Sequence, residues 1–354
     1  MKNAIALRSE LTVLICLLCL GIDVYAQRFD FIPPDLEPVP IGDLKKPTVP
    51  VNLVFYEDGR KTTFKEAIEK VEAEKAIPTM FADRAGVYRA LVISEKIQIE
   101  FPGMPEKLRS QGYSFGNPMS NKIVLFSQGG PSTTLSTWRW QKKMVEMFKG
   151  FGDYFFINVH QAQTLEPDNY DKKELSFEEA KAYAAFSTKV LGDLTAFFKS
   201  KGKKVYLYGI SGGAFLVTDL IATKGNIAEG FLIMVGRLDM NDEMWRSRAN
   251  GERMLFRKDG KTVYMAKPQE SIRSKNNDKL KAAYAHKRYT QLLKGINLSN
   301  VIYFYGKTDA NVGSLLEHEI EFLRSHGAMV VASGGDHSSY QNFLEIGLRL
   351  LLLD

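Results

Sequence analysis

Cysteine is almost absent from this sequence of 354 residues, and its position narrows the kinds of site that the protein can hold. The two cysteines, Cys16 and Cys19, both lie in one hydrophobic run over residues 11–20. If that segment is removed, the chain can form no disulfide, use no thiol nucleophile and bind no metal through cysteine. With 45% hydrophobic and 25% charged residues, the composition is typical of a globular enzyme and excludes collagen-like, coiled-coil and disordered chains.

Long hydrophobic runs are equally scarce. The run over residues 11–20 is too short to cross a bilayer as a helix. The positively charged residues Lys2 and Arg8 precede the run. After it, the segment that ends at Ala26 has the small side chains that a signal peptidase requires at its cleavage site. We therefore expect residues 1–26 to be a cleaved signal peptide, the mature protein to be secreted or periplasmic, and no stable membrane span. An uncleaved anchor or a buried N-terminal helix is the alternative.

The next two segments differ in composition. Residues 27–50 hold six of the thirteen prolines, which predicts an extended arm outside the core. Residues 51–120 contain a strand-like run from Val51, a charged amphipathic helix over residues 63–75 and further strand over residues 88–101. We expect this second segment to contribute N-terminal strands and a helix that join the main sheet.

From residue 121 onward, short apolar runs alternate with helices of twelve to twenty residues. This alternation predicts an α/β fold, with a mainly parallel sheet covered by helices on both faces. The predicted core comprises residues 121–236 and 296–354, interrupted by a charged insertion over residues 237–295. Ser176 and Glu179 form a capping-box pattern ahead of the longest predicted helix. The predicted strands are 122–127, 154–159, 204–208, 230–235, 300–305 and 328–332.

One predicted strand runs directly into a Gly-x-Ser-x-Gly motif, formed by Gly209, Ser211 and Gly213, and then into a helical apolar run. Such a turn strains the serine backbone and presents its hydroxyl above a helix N-terminus, while the flanking glycines avoid collisions with the neighbouring elements. The same pattern recurs around Ser114, between Gly112 and Gly116. It follows a polar stretch and precedes a proline, so we interpret this second match as a loop.

A pair of glycines could supply an oxyanion donor. Gly129 and Gly130 follow the strand over residues 122–127, at the point where a backbone amide can face a developing oxyanion. The amide of Gly212, next to Ser211, would be the second donor. An ordinary turn explains the same glycine pair.

Five histidines limit the choice of a general base. His337 is favoured because it lies in a flexible loop just after the last predicted strand, although an exposed loop histidine has the same pattern. His160 also closes a strand and could approach the site. The remaining histidines are weaker candidates. His286 lies in the charged insertion, and His318 and His326 lie within and at the end of a predicted helix.

The best candidate for an orienting carboxylate is Asp309, which follows the penultimate strand and lies between Ser211 and His337 in chain order. A turn aspartate that caps the helix near Ser314 is the alternative for this residue. Asp336 ranks lower because it is adjacent to His337 in sequence and would point elsewhere.

The order of glycine pair, nucleophile, acid and histidine, each after a strand, resembles that of the α/β-hydrolases over residues 121–354. The resemblance implies an α/β-hydrolase fold with a helical lid insertion and a Ser-His-Asp triad. Gly129, Gly130 and the following proline are similar to the His-Gly-Gly-Pro-Gly oxyanion segment of the prolyl-iminopeptidase-like branch. Here Gln128 replaces the histidine, Ser132 replaces the last glycine, and the aspartate and arginine expected after the next strand are missing.

The insertion is strongly basic. Residues 237–295 contain 15 Lys and Arg against 7 Asp and Glu, a net charge of +8, whereas the whole chain carries +6. A cationic lid favours an anionic substrate or an anionic surface, and disfavours an aminopeptidase, which must hold a cationic amino terminus. A solvated helical face that never meets substrate is the alternative. Without a recognition helix or finger, the charge does not predict nucleic-acid binding.

The sequence therefore predicts a secreted serine hydrolase that cleaves an ester or similar acyl bond through an acyl-enzyme on Ser211. Its expected partner is a small-molecule or peptide substrate. No cofactor or metal is predicted, because no group of histidines and carboxylates has ligand spacing. The alternatives are a prolyl-iminopeptidase-like aminopeptidase and a catalytically silent hydrolase fold that serves as a binding protein.

Overall fold

A computed structural model describes residues 29–40, 43–45, 47, 49–149, 152–268 and 270–352. The predicted signal peptide over residues 1–26 lies outside the described residues. The chain divides into two compact units, with the boundary between Lys96 and Ile97. Within the described ranges, every helix is too short or too polar to cross a membrane.

The first unit is built on a four-stranded sheet in the order β1-β3-β4-β2, in which β2 and β4 run parallel and the other neighbours antiparallel. Helix α1 (Phe64–Glu72) begins with a capping box, because the side chain of Thr63 accepts the amide of Glu66 and the Glu66 side chain accepts that of Thr63. The strands are β1 (Glu37–Pro38), β2 (Leu53–Tyr56), β3 (Ile77–Ala82) and β4 (Tyr88–Ser94).

The first unit differs from the sequence-based expectations for residues 51–120 and for residues 27–50. The strands β2, β3 and β4 do not join the main sheet, because they pair with one another, and a strand's own pattern does not specify its partners. Nor is the proline-rich segment wholly outside the core. Ile32 and Leu36 are buried in the cluster beneath this sheet, and Pro38 lies on an edge strand, where a missing amide donor is tolerated.

The second unit contains a seven-stranded sheet in the order β13-β12-β9-β8-β6-β7-β5. All neighbours are parallel except β5, which pairs antiparallel with β7. Its strands are β5 (Gly112–Gly116), β6 (Lys122–Ser127), β7 (Phe155–Val159), β8 (Lys204–Ile210), β9 (Gly230–Met234), β12 (Val301–Gly306) and β13 (Met329–Ser333), and the short β10 (Met254–Phe256) and β11 (Val263–Met265) lie outside it.

The helices of the second unit connect these strands. Helix α6 begins with the predicted capping box, in which the Ser176 hydroxyl accepts the amide of Glu179 at 3.2 Å, and this prediction is confirmed. The helices are α2 (Glu106–Arg109), α3 (Trp138–Met147), α4 (Ala162–Leu165), α5 (Pro167–Lys172), α6 (Phe177–Ser200), α7 (Gly212–Lys224), α8 (Asp242–Ala249), α9 (Ile272–Ala285), α10 (Tyr289–Leu292), α11 (Glu317–Ser325) and α12 (Tyr340–Leu352).

Burial in the central strands shows why their sequences are almost entirely apolar. Every residue of β7 and of β9 is buried, so both faces of the sheet are covered there. Strands covered on both faces favour unbroken apolar runs over alternation, and this explains why the sequence located them to within two residues. Their order and directions are those of the α/β-hydrolase fold, and the predicted fold class is confirmed.

The second Gly-x-Ser-x-Gly match is not a loop. Residues Gly112–Gly116 form β5, and Tyr113 and Phe115 are buried where the strand pairs with β7. The neighbouring polar residues and proline suggested a loop, but the segment pairs with β7 and is therefore a strand. Ser114 accordingly lies within a strand and accepts the amide of Glu100 at 2.8 Å.

The insertion over residues 237–295 is not purely helical. Between α8 and α9 it contains an antiparallel hairpin, in which β10 pairs with β11. The strands have three residues each, too short to give a periodic pattern in the sequence. The insertion is anchored to α11, because the buried carboxylate of Glu319 accepts the amides of Leu238 and Asp239 at 3.0 and 2.7 Å.

Candidate active site

Ser211 occupies the sharp turn between β8 and α7. Its φ of +55° and ψ of −116° lie in a region that residues other than glycine rarely adopt. The backbone is held there because the Ser211 amide donates to the carbonyl of Met234, on the neighbouring strand, at 2.9 Å. The strained turn places the serine at the carboxyl edge of the sheet, with the first turn of α7 directly after it.

The two flanking glycines are required by close backbone contacts. A Cβ at Gly209 would lie 2.3 Å from the carbonyl oxygen of Gly213. A Cβ at Gly213 would lie 1.9 Å from the carbonyl oxygen of Ser127, on β6. Both distances are far inside van der Waals contact, so the motif's glycines are explained by the packing of α7 against the sheet.

We expect Gly213→Ala to lower the free energy of unfolding by about 3 kcal/mol or more, because a rigid backbone carbonyl must move to admit the methyl group. Gly192→Ala is the matched control, since that glycine lies within α6 and its Cβ would meet only the end of the Leu220 side chain, at 3.2 Å. Its stability should change by less than about 1 kcal/mol. Urea denaturation measures both, and equal effects would contradict the packing explanation.

The structure brings Ser211, His337 and Asp309 together. Nε2 of His337 lies 3.0 Å from the Ser211 hydroxyl oxygen, and Nδ1 lies 2.6 Å from Oδ2 of Asp309. With the proton on Nδ1, the imidazole donates to the carboxylate and accepts from the hydroxyl. These three residues follow β8, β13 and β12, whose carboxyl ends meet at one edge of the sheet.

The carboxylate of Asp309 is buried and rigidly held. Its second oxygen, Oδ1, accepts the backbone amides of Asn311 and Val312 at 2.8 and 3.1 Å. The His337 side chain is 21% exposed, so the ring bridges a buried acid and an accessible hydroxyl. Turn capping and imidazole orientation, which the sequence presented as alternatives for Asp309, are therefore combined in one side chain.

Asp336 has a different role, in keeping with its lower rank. Its carboxylate accepts both the amide and the hydroxyl of Ser338, at 2.9 and 2.7 Å, and so caps the short 3₁₀ turn that contains His337. These hydrogen bonds hold the pKa of Asp336 below its usual value. This carboxylate shapes the histidine loop, and the hydrogen bond to the imidazole is made by Asp309.

The predicted oxyanion residues lie beside Ser211. Gly130 and Gly212 both line the cavity that contains the serine, and a Cβ at Gly212 would lie 3.4 Å from the Gly130 nitrogen. Gly129 is also close, since its Cβ would lie 3.5 Å from that of Ser211. The backbone segments at Gly130 and Gly212 therefore lie next to each other, beside Ser211.

A buried amide network that the sequence analysis missed supports this glycine loop. Gln128 donates to the carbonyl of Thr134 at 2.8 Å and accepts the amide of Ser136 at 2.9 Å. Gln161 donates to the Gln128 carbonyl at 2.7 Å, and Asn158 donates to the carbonyl of Ser136 at 2.6 Å. The available signal was Asn158 itself, a fully buried amide within an otherwise apolar strand.

The other histidines are engaged elsewhere. His160 bonds through Nδ1 to the hydroxyl of Thr164 at 2.8 Å, and burial lowers its pKa to about 4. Nδ1 of His286 lies 2.8 Å from the carbonyl oxygen of Ala283. Among the histidines of the described residues, only His337 makes a hydrogen bond to the Ser211 hydroxyl.

A cavity of about 210 Å³ opens beside Ser211. The insertion supplies much of its wall, including four charged side chains: Arg248, Arg253, Asp278 and Lys281. The basic insertion therefore reaches the candidate site. In the part of the chain that is described, no group of three or more His, Cys, Asp or Glu side chains is arranged to hold a metal ion.

No family model matches the sequence, and no curated protein matches it. Solved structures are similar to it at low identity. One, described for the metagenome-derived lipolytic enzymes LipS and LipT, shares 15% identity over 72% of this chain and 99% of its own, with a TM-score of 0.43. MenH from S. aureus shares 13% identity over 69% of this chain and 98% of its own, with a TM-score of 0.44. A bromoperoxidase from Bacillus anthracis shares 17% identity over 68% of this chain and 93% of its own, with a TM-score of 0.43. Because these TM-scores lie below 0.5, the fold assignment rests on strand order and direction.

Proposed function

We propose that this protein is a serine hydrolase that transfers an acyl group from its substrate to Ser211 and then to water. The observation that carries the proposal is the position of His337, with one ring nitrogen 3.0 Å from a strained serine hydroxyl and the other 2.6 Å from a buried carboxylate. Nucleophilic catalysis by a serine requires a hydroxyl, an imidazole and a carboxylate joined in this order by hydrogen bonds. Stabilising the fold rarely requires such a series at the edge of a cavity.

In the first half of the reaction, the Ser211 oxygen attacks the carbonyl carbon and its proton passes to Nε2 of His337. Asp309 stabilises the resulting imidazolium and keeps the ring oriented. The amides of Gly130 and Gly212 donate to the negative oxygen of the tetrahedral intermediate, and each such donor lowers the barrier by about 3 kcal/mol. The intermediate then expels the leaving group, which takes the proton from His337, and an acyl-enzyme remains.

In the second half, a water molecule attacks the acyl-enzyme carbonyl and gives its proton to His337. Collapse of this second intermediate breaks the bond to Ser211, and the imidazolium returns the proton to the serine oxygen. The products are the carboxylic acid and the leaving group, with the protein unchanged. An ester is favoured over a peptide amino terminus, because three of the four charged side chains on the cavity wall are cationic.

A fluorophosphonate probe tests the proposal, because it reacts with serines activated by a neighbouring base. We expect the wild-type protein to gain one adduct, located on Ser211 by peptide mass spectrometry. Ser114→Ala is the matched control, since Ser114 lies in the second Gly-x-Ser-x-Gly sequence but within β5, and this variant should still be labelled. An unlabelled wild-type protein, or a Ser211→Ala variant that still reacts, would refute the proposal.

A further inference from the structure

The cavity beside Ser211 has an imbalance of charge on its insertion side. Arg248, Arg253 and Lys281 line it together with a single carboxylate, Asp278. Nζ of Lys281 lies 3.8 Å from Oδ1 of Asp278. One carboxylate cannot neutralise three cations, so the wall carries an excess of two positive charges.

The guanidinium of Arg253 has no direct polar partner in the described part of the protein, and its attraction to Asp278 acts over a longer distance. In the described ranges its guanidinium makes no hydrogen bond and has no carboxylate within 4.0 Å, although the side chain is partly buried at the cavity wall. A surface arginine can satisfy its donors with bulk water, but a cation in a narrow cleft loses part of that hydration. Its five N–H donors are therefore available to a ligand in the cavity.

Arg248 is buried and fixed in place. Its Nε and Nη2 donate to the carbonyl of Met254 at 3.1 and 2.7 Å, and Nη2 also reaches the carbonyl of Asn311 at 3.2 Å. Burial lowers the pKa of Arg248 to about 10, so the side chain remains charged at neutral pH. Backbone carbonyls orient this guanidinium without cancelling its charge, and no carboxylate among the described residues forms an ion pair with it.

Burial also affects the other two groups. It raises the pKa of Asp278, and it lowers the pKa of Lys281, an effect to which the nearby Arg248 adds. Asp278 is almost fully buried, whereas 40% of the Lys281 side chain is exposed, so the carboxylate loses more of its hydration than the ammonium group does. An anion bound among them would offset the repulsion between the cations and replace part of their lost hydration.

From these contacts we infer that the substrate of the proposed hydrolase is a small ester with an anionic oxyacid group, such as a carboxylate, which Arg253, Arg248 and Lys281 bind. The inference rests on the proposed function and extends it to a substrate class. Arginine suits this role because its planar donors match the two oxygens of a carboxylate. A cavity of about 210 Å³ is smaller than the roughly 300–1,000 Å³ of drug-sized ligand sites, which favours a short substrate.

The test compares matched esters with and without a carboxylate. For the acyl side, the pair is mono-4-nitrophenyl glutarate and 4-nitrophenyl pentanoate; for the leaving-group side, it is 4-acetoxybenzoate and its methyl ester. The measured quantity is the ratio of kcat/KM for the anionic ester to that for the neutral ester. We expect a wild-type ratio of at least about tenfold in one of the two pairs, the size of one charge-assisted hydrogen bond. The pair that shows it identifies which part of the substrate carries the charge.

Variants then assign the preference to the cavity. Arg253→Gln should lower the ratio by about tenfold or more, and Arg253→Lys should retain part of it, because the charge remains but the two-pronged geometry does not. Arg257→Gln is the control, since Arg257 is exposed on the same hairpin and packs over the ring of Tyr264. This control should keep the wild-type ratio.

The possible failures are distinguishable. If the protein reacts with a fluorophosphonate and hydrolyses both members of each pair equally well, the inference is overturned and the hydrolase proposal stands. A wild-type preference that survives Arg253→Gln also overturns it. If the wild-type protein neither reacts with the probe nor hydrolyses any ester, both the inference and the proposed function are overturned.

Discussion

Ser211→Ala should lower kcat for a short-chain 4-nitrophenyl ester by about 10⁵- to 10⁶-fold, and His337→Ala should lower it by a similar factor. The double variant should be no slower than either single variant. The hydroxyl and the imidazole act as one unit, joined by a 3.0 Å hydrogen bond, so removing either one removes the nucleophilic pathway. Residual hydrolysis would come from substrate binding and the oxyanion donors.

Steady-state kinetics of the two single variants and the double variant measure this non-additivity. The control is His318→Ala. His318 is exposed on α11, and its Nε2 lies 3.8 Å from Oδ2 of Asp239, so its imidazole is not a neighbour of the Ser211 hydroxyl. This variant should keep wild-type kcat. Losses that multiply in the double variant would show that Ser211 and His337 act independently, which contradicts the proposed mechanism.

Asp309→Asn should lower kcat by about 10⁴-fold while the protein remains folded. The side-chain oxygen of asparagine can still accept the amides of Asn311 and Val312, so the turn is preserved. Its NH₂ group, however, would donate to Nδ1 of His337, which currently lies 2.6 Å from a carboxylate oxygen. The proton would then reside on Nε2, and the ring could no longer accept the proton of Ser211.

The matched control is Asp336→Asn, in the residue next to His337. Asp336 caps the 3₁₀ turn through Ser338 and makes no hydrogen bond to the imidazole, so its replacement should lower kcat by less than about tenfold. Circular dichroism and thermal unfolding verify that both variants are folded. A larger loss from Asp336→Asn than from Asp309→Asn would mean that the orienting carboxylate has been assigned to the wrong residue.

Local sequence information was sufficient wherever an element is specified by neighbouring residues. The turn at Ser211 was recognisable because an apolar strand, two glycines and a helical run follow one another without interruption. The capping box at Ser176 was predicted for the same reason, since both of its hydrogen bonds join residues three positions apart. Strand β9 was located because burial on both faces imposes a continuous apolar run.

Predictions that depended on pairing between distant segments were less successful. The sequence around Ser114 does not reveal that it pairs with β7, and the strands before residue 97 do not reveal that they form their own sheet. The sequence also did not predict the hairpin in the insertion, between Met254 and Met265. In each case the decisive hydrogen bonds join residues whose local patterns are compatible with more than one partner.

The sequence alone determined which chemical groups are present and in what order, because a nucleophile, an acid and a histidine after successive strands can be read along the chain. Only the tertiary structure decided that Ser211, Asp309 and His337 lie within hydrogen-bonding distance, since their separation depends on the order and direction of the strands. The same holds for the cationic wall of the cavity. A count of charges showed that the insertion is basic, whereas packing decided that Arg248 and Arg253 lose water and face the serine's cavity, because desolvation is a property of the folded surroundings.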